Sequence, residues 1–168
     1  SDLIKLDSLG PVFFFQGRRG YRGKLLSIVK FRTMNVLENG STITQAQRND
    51  QRVTRVGHWL RRLSLDELPQ LLNVIHGTMS LVGPRPHAAA HDDFYEKCVT
   101  HYEVRQHVKP GISGWAQVNG LRGETASTEL MRQRVVHDIW YAQNASLRLD
   151  FKILLLTLAV VLGQRSAY

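Results

Sequence analysis

The stretch LRRLSLDELPQLLNVIHG, residues 60–77, contains the residue types that phosphate chemistry uses. Asp66 and Glu67 stand side by side, shortly after Arg61 and Arg62. One carboxylate can attack phosphorus and form an acyl phosphate, while a neighbouring carboxylate binds Mg²⁺ on the phosphate oxygens. The two guanidinium groups would balance phosphate charge. The stretch therefore suggests, as one interpretation, a site for phosphoryl transfer.

The same residues also have a purely structural interpretation. Ser64 followed by Glu67 fits a capping box, in which the glutamate side chain reaches back to the backbone of the cap residue. Asp66 would then lie near the positive end of the helix dipole. Pro69 fits this poorly, because it would remove a backbone hydrogen bond five residues after the cap. Spacing alone leaves the helix cap and the reactive site both open.

The surrounding pattern predicts an α+β fold, a helix-rich single domain with one small β-hairpin. Residues 11–16 and 24–34 are rich in aromatic and branched side chains, and the glycine-rich, basic segment GRRGYRG separates them. Two prolines around an arginine predict an extended or turning segment at 80–87. Apolar spacing predicts helices over 52–63, 64–75, 88–108, 124–144 and 146–162, with a loop at 35–51 and loop or short strand at 109–123.

Composition restricts the classes of protein and partner. The chain has 168 residues, enough for one domain with a core, and a formal charge of +8. That charge suits an anionic partner such as nucleic acid, an anionic membrane surface or a phosphorylated substrate. The single cysteine, Cys98, excludes an intrachain disulfide. The apolar run 153–162 is too short to span a bilayer, so it predicts either a buried core helix or one lying among the lipid headgroups.

Four motifs in order resemble the bacterial sugar transferase family, the monotopic polyprenyl-phosphate phosphoglycosyl transferases. Within it the resemblance is strongest to undecaprenyl-phosphate glucose phosphotransferases of exopolysaccharide synthesis. It runs from about Ile4 to Tyr168, so 1–168 is interpreted as the catalytic domain. Family members carry a re-entrant membrane helix before the equivalent of KLDSLGPVFF, whereas only SDLI precedes it here, so we expect a domain lacking that helix. The motifs are KFRTM (30–34), LRRLSLDELPQLLNV (60–74), MSLVGPRPH (79–87) and KPGISGWAQVNGLRGET (109–125).

The resemblance implies a reaction in which a sugar 1-phosphate moves from a UDP-sugar, UDP-glucose or UDP-galactose, to undecaprenyl phosphate. The family's adjacent Asp-Glu pair falls on Asp66 and Glu67. Asp66 would attack the β-phosphate, release UMP and carry the sugar-phosphoryl group, while Glu67 would bind the Mg²⁺ cofactor. The reaction would be the first membrane step of exopolysaccharide, capsule or O-antigen synthesis. It would take place peripherally at the cytoplasmic face of the bacterial inner membrane.

The resemblance also assigns the arginines of these motifs to the two substrates. Arg61 matches a family arginine near the lipid phosphate, and Arg62 is a further candidate whose alternative is a solvated basic face. Arg85 would hold the nucleotide diphosphate, for which a planar guanidinium is suited. Its alternative is an arginine anchored to a structural carboxylate. Arg122 would also face the nucleotide.

Three further residues enter the predicted site by the same resemblance. Asp150 matches a family acid of the active centre, and Asp138 matches a second acid that is alternatively a buried ion-pair partner. Lys30 lies in a motif that the family places beside the catalytic helix. Because Lys30 and Arg32 alternate along a strand, they share a face. Their alternative is charge that protects an edge strand.

Two other functions compete with the enzyme. A basic nucleic-acid-binding module would explain GRRGYRGK and the net charge, but it needs basic and exposed aromatic residues on one face, whereas the arginines are spread over four motifs. A truncated, non-catalytic membrane scaffold is the second alternative, and the intact Asp66–Glu67 pair argues against it. The expected partners are therefore a UDP-sugar, a polyprenyl phosphate and the membrane surface, without nucleic acid. Whether the chain forms a homo-oligomer is left open.

Overall fold

The computed structural model describes residues 2–35, 50–123 and 127–163. The loop predicted at 35–51 therefore lies, except for its ends, outside the described residues. The fold is a helix-rich α+β domain with two small sheets, which confirms the predicted class. In chain order the helices are α1 (Asp2–Asp7), α2 (Arg55–Arg62), α3 (Leu71–Ile75), α4 (Ala89–Cys98), α5 (Trp115–Val118), α6 (Thr128–Asn144) and α7 (Leu147–Gly163), and the strands are β1 (Phe13–Arg19), β2 (Leu25–Phe31), β3 (Ser80–Val82) and β4 (Gly111–Ser113).

The predicted hairpin is confirmed. Strands β1 and β2 pair antiparallel, from Phe13 opposite Phe31 to Arg19 opposite Leu25. Alternate residues of β2, Leu26 and Ile28, are buried with Met79, as the two-residue period of a strand requires. The hairpin thus has one face on the core, and it presents Lys30 toward the segment that follows α2.

A second small sheet, formed by two parallel strands, was not predicted from the sequence. Strand β3 pairs with β4, with Ser80 opposite Gly111 and Val82 opposite Ser113. The backbones approach so closely that a Cβ on Gly111 would lie 2.1 Å from the Gly83 nitrogen. In the part of the chain that the structure describes, each sheet has two strands, so a doubly wound parallel sheet is excluded there.

The helix predicted over 88–108 is wrong in its second half. Helix α4 ends at Cys98, Val99 is extended, His101 has a left-handed φ of 60°, and a 3₁₀ helix follows over Tyr102–His107. The break lets Val99 and Tyr102 pack on α6, against Met131 and other apolar side chains. Tertiary packing therefore overrides the helical pattern at a place without glycine or proline.

Helices α6 and α7 complete the core, and their predicted positions are confirmed. The α6 face that includes Met131 and Val135 is buried, as its spacing predicted. On α7, Ile153 is buried, whereas Leu155 and Leu158 are exposed. Helix α7 is thus a core helix on one side and an exposed apolar surface on the other. No helix within the described ranges combines the length and the apolar character needed to cross a membrane.

Candidate active site

The segment that carries the two adjacent carboxylates is not a regular helix start. Helix α2 is followed by Ser64 in a left-handed conformation, φ 57°, and then by a 3₁₀ helix over Leu65–Gln70. The Ser64 side chain caps no backbone N–H of this 3₁₀ helix, and its oxygen accepts a hydrogen bond from Arg122 instead. The capping box is therefore wrong. Pro69 lies inside the 3₁₀ helix, and the Glu67 side chain has other partners.

Glu67 is the centre of a cluster formed by three separate parts of the chain. It is 8% exposed and accepts hydrogen bonds from two cations. Lys30 Nζ, on β2, donates to Oε1 at 2.9 Å. Arg85 donates from Nη1 to Oε2 at 3.0 Å and from Nη2 to Oε1. We call Lys30, Asp66, Glu67 and the Arg85 side chain the dyad cluster. Charge protecting an edge strand is thus wrong for Lys30, because its ammonium is inside an ion pair.

One amide side chain fastens the chain segment that carries the two carboxylates, residues 64–75, to the hairpin; we call these residues the dyad segment. Asn73 Oδ1, on α3, accepts a hydrogen bond from the Val29 N–H at 3.1 Å, and its Nδ2 donates to the Ser27 carbonyl at 2.8 Å. This double contact places the end of β2 next to the 3₁₀ helix that carries Glu67. Sequence reasoning missed Asn73, since a polar residue within an apolar helical pattern was the only available signal.

The two carboxylates of the dyad cluster have opposite electrostatic environments. Burial alone would raise the pKa of Glu67, but Arg85 and Lys30 outweigh it and hold that pKa well below the usual range. The pKa of Asp66 is raised, first by burial and then by the neighbouring Glu67 charge, while Lys30 and Arg61 oppose the rise. Glu67 is therefore a fixed anion, and Asp66 is the more basic carboxylate. A pair with separated pKa values is typical of sites where acids have different roles.

The other predicted cations are distributed unequally around the dyad cluster. Arg61 lies close enough to Asp66 to lower its pKa. Arg122 is joined to the segment through its hydrogen bond to Ser64. The guanidinium of Arg62 instead stacks over the Trp59 ring, 5.3 Å from its centroid. The structure therefore brings Arg61, Arg85 and Lys30 to the carboxylates, and places Arg62 on an exposed aromatic side chain.

Asp138 lies in a buried ion pair behind the dyad cluster. It is 2% exposed, Arg105 Nε donates to its Oδ2 at 3.0 Å, and Arg105 Nη2 lies 2.8 Å from the same oxygen in an ion pair. Arg105 Nη2 also donates to the carbonyl oxygen of Arg85 at 2.6 Å. Because its side chain is almost completely buried, Asp138 cannot contact a substrate. The side chain acts on the Arg85 backbone through Arg105, which matches the ion-pair alternative of the sequence analysis.

Arg105 connects this ion pair to three further buried side chains. Its Nη1 donates to Tyr102 Oη at 2.9 Å and to His87 Nδ1 at 2.7 Å, and Tyr102 Oη donates to Asp92 Oδ1 at 2.5 Å. Burial and the Arg105 charge hold the pKa of His87 well below its usual value, so the ring is neutral and can accept at Nδ1. Burial raises the pKa of Asp92 to about 6. We call Arg105, Asp138, Tyr102, His87 and Asp92 the support cluster.

The side chain of Asp150, predicted as catalytic, accepts a hydrogen bond from helix α6. Its Oδ1 accepts from Tyr141 Oη at 2.7 Å, which joins the first turn of α7 to α6. Burial raises the pKa of Tyr141, so the phenol remains a donor at neutral pH. The structure therefore shows a structural contact for Asp150, whereas its catalytic role stays a prediction.

The donors around Glu67 determine whether a Mg²⁺ ion fits. A carboxylate offers about four lone-pair positions, and Lys30 and Arg85 already fill three on Glu67. Among the described residues there is no group of three or more His, Cys, Asp or Glu side chains that could hold a metal. Mg²⁺ commonly binds one or two carboxylates together with substrate phosphates and water. Glu67 could therefore supply one ligand to a Mg²⁺ ion whose other ligands would be substrate phosphates and water.

The adjacent carboxylates and the arginines around them are the residue types that phosphate chemistry uses, and comparison with known proteins gives the family of the chain. The model of the bacterial sugar transferase family matches residues 2–164. The chain belongs to this family, as its motifs predicted.

Curated relatives cover nearly all of the chain. It is 54% identical over 166 residues to the UDP-glucose:undecaprenyl-phosphate glucose-1-phosphate transferase of Xanthomonas campestris pv. campestris, over 98% of the chain and 34% of that protein. The protein of the same name in Caulobacter vibrioides is 54% identical over 98% of the chain and 62% of its own length. The UDP-N-acetylgalactosamine-undecaprenyl-phosphate N-acetylgalactosaminephosphotransferase of Aeromonas hydrophila is 44% identical over 95% and 37%. The chain thus spans between about a third and under two thirds of these relatives' lengths.

Proposed function

We propose that this chain is the catalytic part of a phosphoglycosyl transferase that moves glucose 1-phosphate from UDP-glucose to undecaprenyl phosphate. The observation that carries the proposal is the dyad cluster, in which Glu67 is a permanently ionised partner of two cations while Asp66 remains a more basic carboxylate. The choice of UDP-glucose over UDP-galactose rests on the names of the Xanthomonas and Caulobacter relatives.

The first half of the reaction uses Asp66 as the nucleophile. A carboxylate oxygen of Asp66 attacks the β-phosphorus of UDP-glucose, and the bond from that phosphorus to the bridging oxygen breaks. UMP leaves with the electron pair, and a glucose-phosphoryl aspartate remains. Arg85 binds the diphosphate, since its planar guanidinium lies beside the dyad, is 29% exposed and suits bidentate phosphate contacts. Glu67 would help to hold Mg²⁺, which would supply neutralisation of phosphate charge.

The second half regenerates the carboxylate. A phosphate oxygen of undecaprenyl phosphate attacks the same phosphorus, and the bond to Asp66 breaks with its electrons returning to the carboxylate. The product is an undecaprenyl diphosphate sugar. Arg61, close enough to lower the pKa of Asp66, is assigned to the lipid phosphate. Lys30 keeps Glu67 in place during both steps through its 2.9 Å ion pair.

Isotope exchange between labelled UMP and UDP-glucose isolates the first half, since it needs no lipid. We expect exchange by the unaltered chain and a loss of roughly 10³-fold or more in Asp66→Asn, because an amide cannot form the acyl phosphate. Circular dichroism checks that the variant is folded. Near-normal exchange by Asp66→Asn would exclude the covalent mechanism. Absence of exchange in the folded, unaltered chain would favour the alternative of a non-catalytic membrane scaffold.

We further propose that the chain binds the cytoplasmic face of the inner membrane peripherally, where this reaction would begin exopolysaccharide, capsule or O-antigen synthesis. The long lipid tail cannot leave the bilayer without losing about 0.8 kcal/mol for each buried CH₂. Exposed apolar side chains support such a surface, both on α7 and beside the dyad, namely Phe151, Leu155, Leu158, Leu68, Leu72 and Ile75. The net charge of +8 would attract anionic headgroups.

Liposome flotation tests the membrane surface. The chain should float with anionic vesicles, less with neutral ones, and less again in high salt, which screens the charges. Leu155→Glu/Leu158→Glu should reduce flotation while keeping the helical circular dichroism signal, because both side chains are largely exposed. Val136→Glu, at an exposed position on α6, is the matched control. Unchanged flotation of the folded double variant would remove α7 from the proposed membrane surface.

A further inference from the structure

A cavity of about 180 Å³ lies beside Glu67, and the reaction steps above leave it without a role. Its lining residues come from the dyad segment, the β3–β4 pair, α5 and the C-terminal half of α7. Most of the lining is apolar, and the side chains used below are Leu68, Leu71, Leu81, Val118, Leu154 and Val160. Such walls favour an apolar ligand, or an apolar part of one.

The polar lining residues fall into two groups: some lie among the apolar side chains of the wall, and others lie at the end next to Glu67. In the wall, Ser113 Oγ and Thr157 Oγ1 share a hydrogen bond of 2.5 Å, and Thr157 Oγ1 also bonds to the Ile153 carbonyl at 2.8 Å. These hydroxyls are satisfied within the protein. Gln117 also lines the cavity, and its buried Oε1 accepts no hydrogen bond within the described residues. The charged groups of the lining are Glu67 and Arg122, both attached to the dyad segment. A ligand in this cavity therefore meets charge only next to the reacting centre.

This arrangement distinguishes between the parts of the two substrates. Apart from a contact with Gln117, a sugar ring, a ribose or a uracil would leave its polar groups without partners against the apolar wall, which is costly. A hydrocarbon has no such groups. An engineered cavity of about 150 Å³ lined by apolar side chains accepts benzene, so this cavity has room for roughly one isoprene unit.

We propose that the cavity binds the first isoprene unit of the lipid acceptor, the unit next to its phosphate. This proposal rests on the proposed function, because it takes the acceptor's phosphate to lie at the dyad. A phosphate there, near Arg61 and Arg122, brings the first unit of its tail against Leu68 and Leu154. The remaining tail continues outside the cavity, where Leu155 and Leu158 of α7 are exposed.

Direct binding tests the cavity without requiring turnover. Farnesyl phosphate, a short prenyl phosphate, is titrated into the chain in detergent-free buffer by calorimetry. Val160→Phe fills the cavity and should weaken binding roughly tenfold, the loss expected when about two CH₂ groups stay outside. Val136→Phe is the matched control, because Val136 is 59% exposed on α6 and does not line the cavity. It should bind like the unaltered chain.

A second filling variant and one other ligand make the result decisive. Leu81→Phe reaches the cavity from β3, so it should reproduce the effect even if Val160→Phe folds poorly. Farnesol, which lacks the phosphate, should bind more weakly than farnesyl phosphate. Equal affinity of the two filled variants and the unaltered chain, or no affinity at all, overturns the proposal.

Exchange between UMP and UDP-glucose separates this proposal from the proposed function. The filled variants should retain exchange, because that half-reaction does not involve the lipid. Absent exchange in the unaltered chain, with farnesyl phosphate still bound and still sensitive to Val160→Phe, would reject the reaction and keep the cavity. Normal exchange with farnesyl phosphate binding unaffected by filling would reject the cavity and keep the reaction.

Discussion

The dyad cluster and the support cluster both pair acids with arginines, and they meet at one residue. The side chain of Arg85 belongs to the dyad cluster, while its carbonyl oxygen is held by Arg105 of the support cluster. Their solvent exposure differs: the Arg85 side chain is 29% exposed, and those of Arg105 and Asp138 are 4% and 2%. Charges that reach solvent can exchange partners with a phosphate, whereas fully buried ones cannot. Under the proposed function, the dyad cluster would bind substrate and the support cluster would position Arg85.

The largest expected effect contrasts the same acid-to-amide change in the two clusters. Asp138→Asn leaves Arg105 buried beside a neutral group, and we expect it to lower the free energy of unfolding by about 3–5 kcal/mol. Glu67→Gln leaves cations that reach solvent, so its loss of stability should be smaller. Its loss of UMP exchange should instead be roughly 10²-fold or more, with a higher Mg²⁺ requirement. Urea unfolding and exchange assays measure the two effects.

The comparison fails if the two variants show the opposite ranking. Asp138→Asn with full stability and lost exchange would place Asp138 in the chemistry. Glu67→Gln with normal exchange and large destabilisation would make the dyad cluster structural.

The next largest effect is on the pH dependence of stability, which should involve the support cluster and not the dyad cluster. The pKa of Asp92 is raised to about 6 in the folded chain. Between the ordinary aspartate pKa and this value, the folded chain keeps the Asp92 proton while the unfolded chain has lost it. This stabilisation is present below the unfolded pKa and is lost as pH rises through about 6, by up to about 3 kcal/mol. Asp92→Asn should lack this component when unfolding is measured from pH 4.5 to 7.5.

The acid limb of UMP exchange provides the control for that experiment. It should follow the raised pKa of Asp66, since only the ionised carboxylate attacks phosphorus. Asp92→Asn should leave the acid limb in place, whereas removing the Arg85 charge should move it to higher pH. A shift of the limb in Asp92→Asn would mean that the two clusters titrate as one.

The smallest effect is on the KM values of the two substrates, each of which should depend on a different arginine of the site. Arg61→Ala should raise the KM for the lipid phosphate about tenfold, with less effect on UDP-glucose, and Arg85→Ala should do the reverse. The reason is the two-substrate scheme, with one cation assigned to each phosphate. Initial rates at varied concentrations of both substrates measure it, with Arg62→Ala as the control because Arg62 stacks on Trp59. Equal changes in both KM values would contradict the division.

Much of the local chemistry could be predicted from the sequence. The adjacent acids, the arginine between two prolines and the order of motifs identified the family and the dyad. Periodicity correctly predicted the hairpin and the positions of α6 and α7, because a single buried face imposes the period of its own element. Asn73 and Arg105 were missed, since nothing in their neighbouring residues shows which distant backbone they contact.

The sequence by itself determined which residue types stand next to each other, which elements have one apolar face, and which family the chain resembles. Only the tertiary structure decided which cation pairs with which acid. Glu67 meets Lys30 and Arg85 across 37 and 18 residues, and Asp138 meets Arg105 across 33. It also decided the break after α4 and the pairing of β3 with β4. The physical reason is that burial and charge depend on distances between segments, and those exist only once the core has brought the segments together.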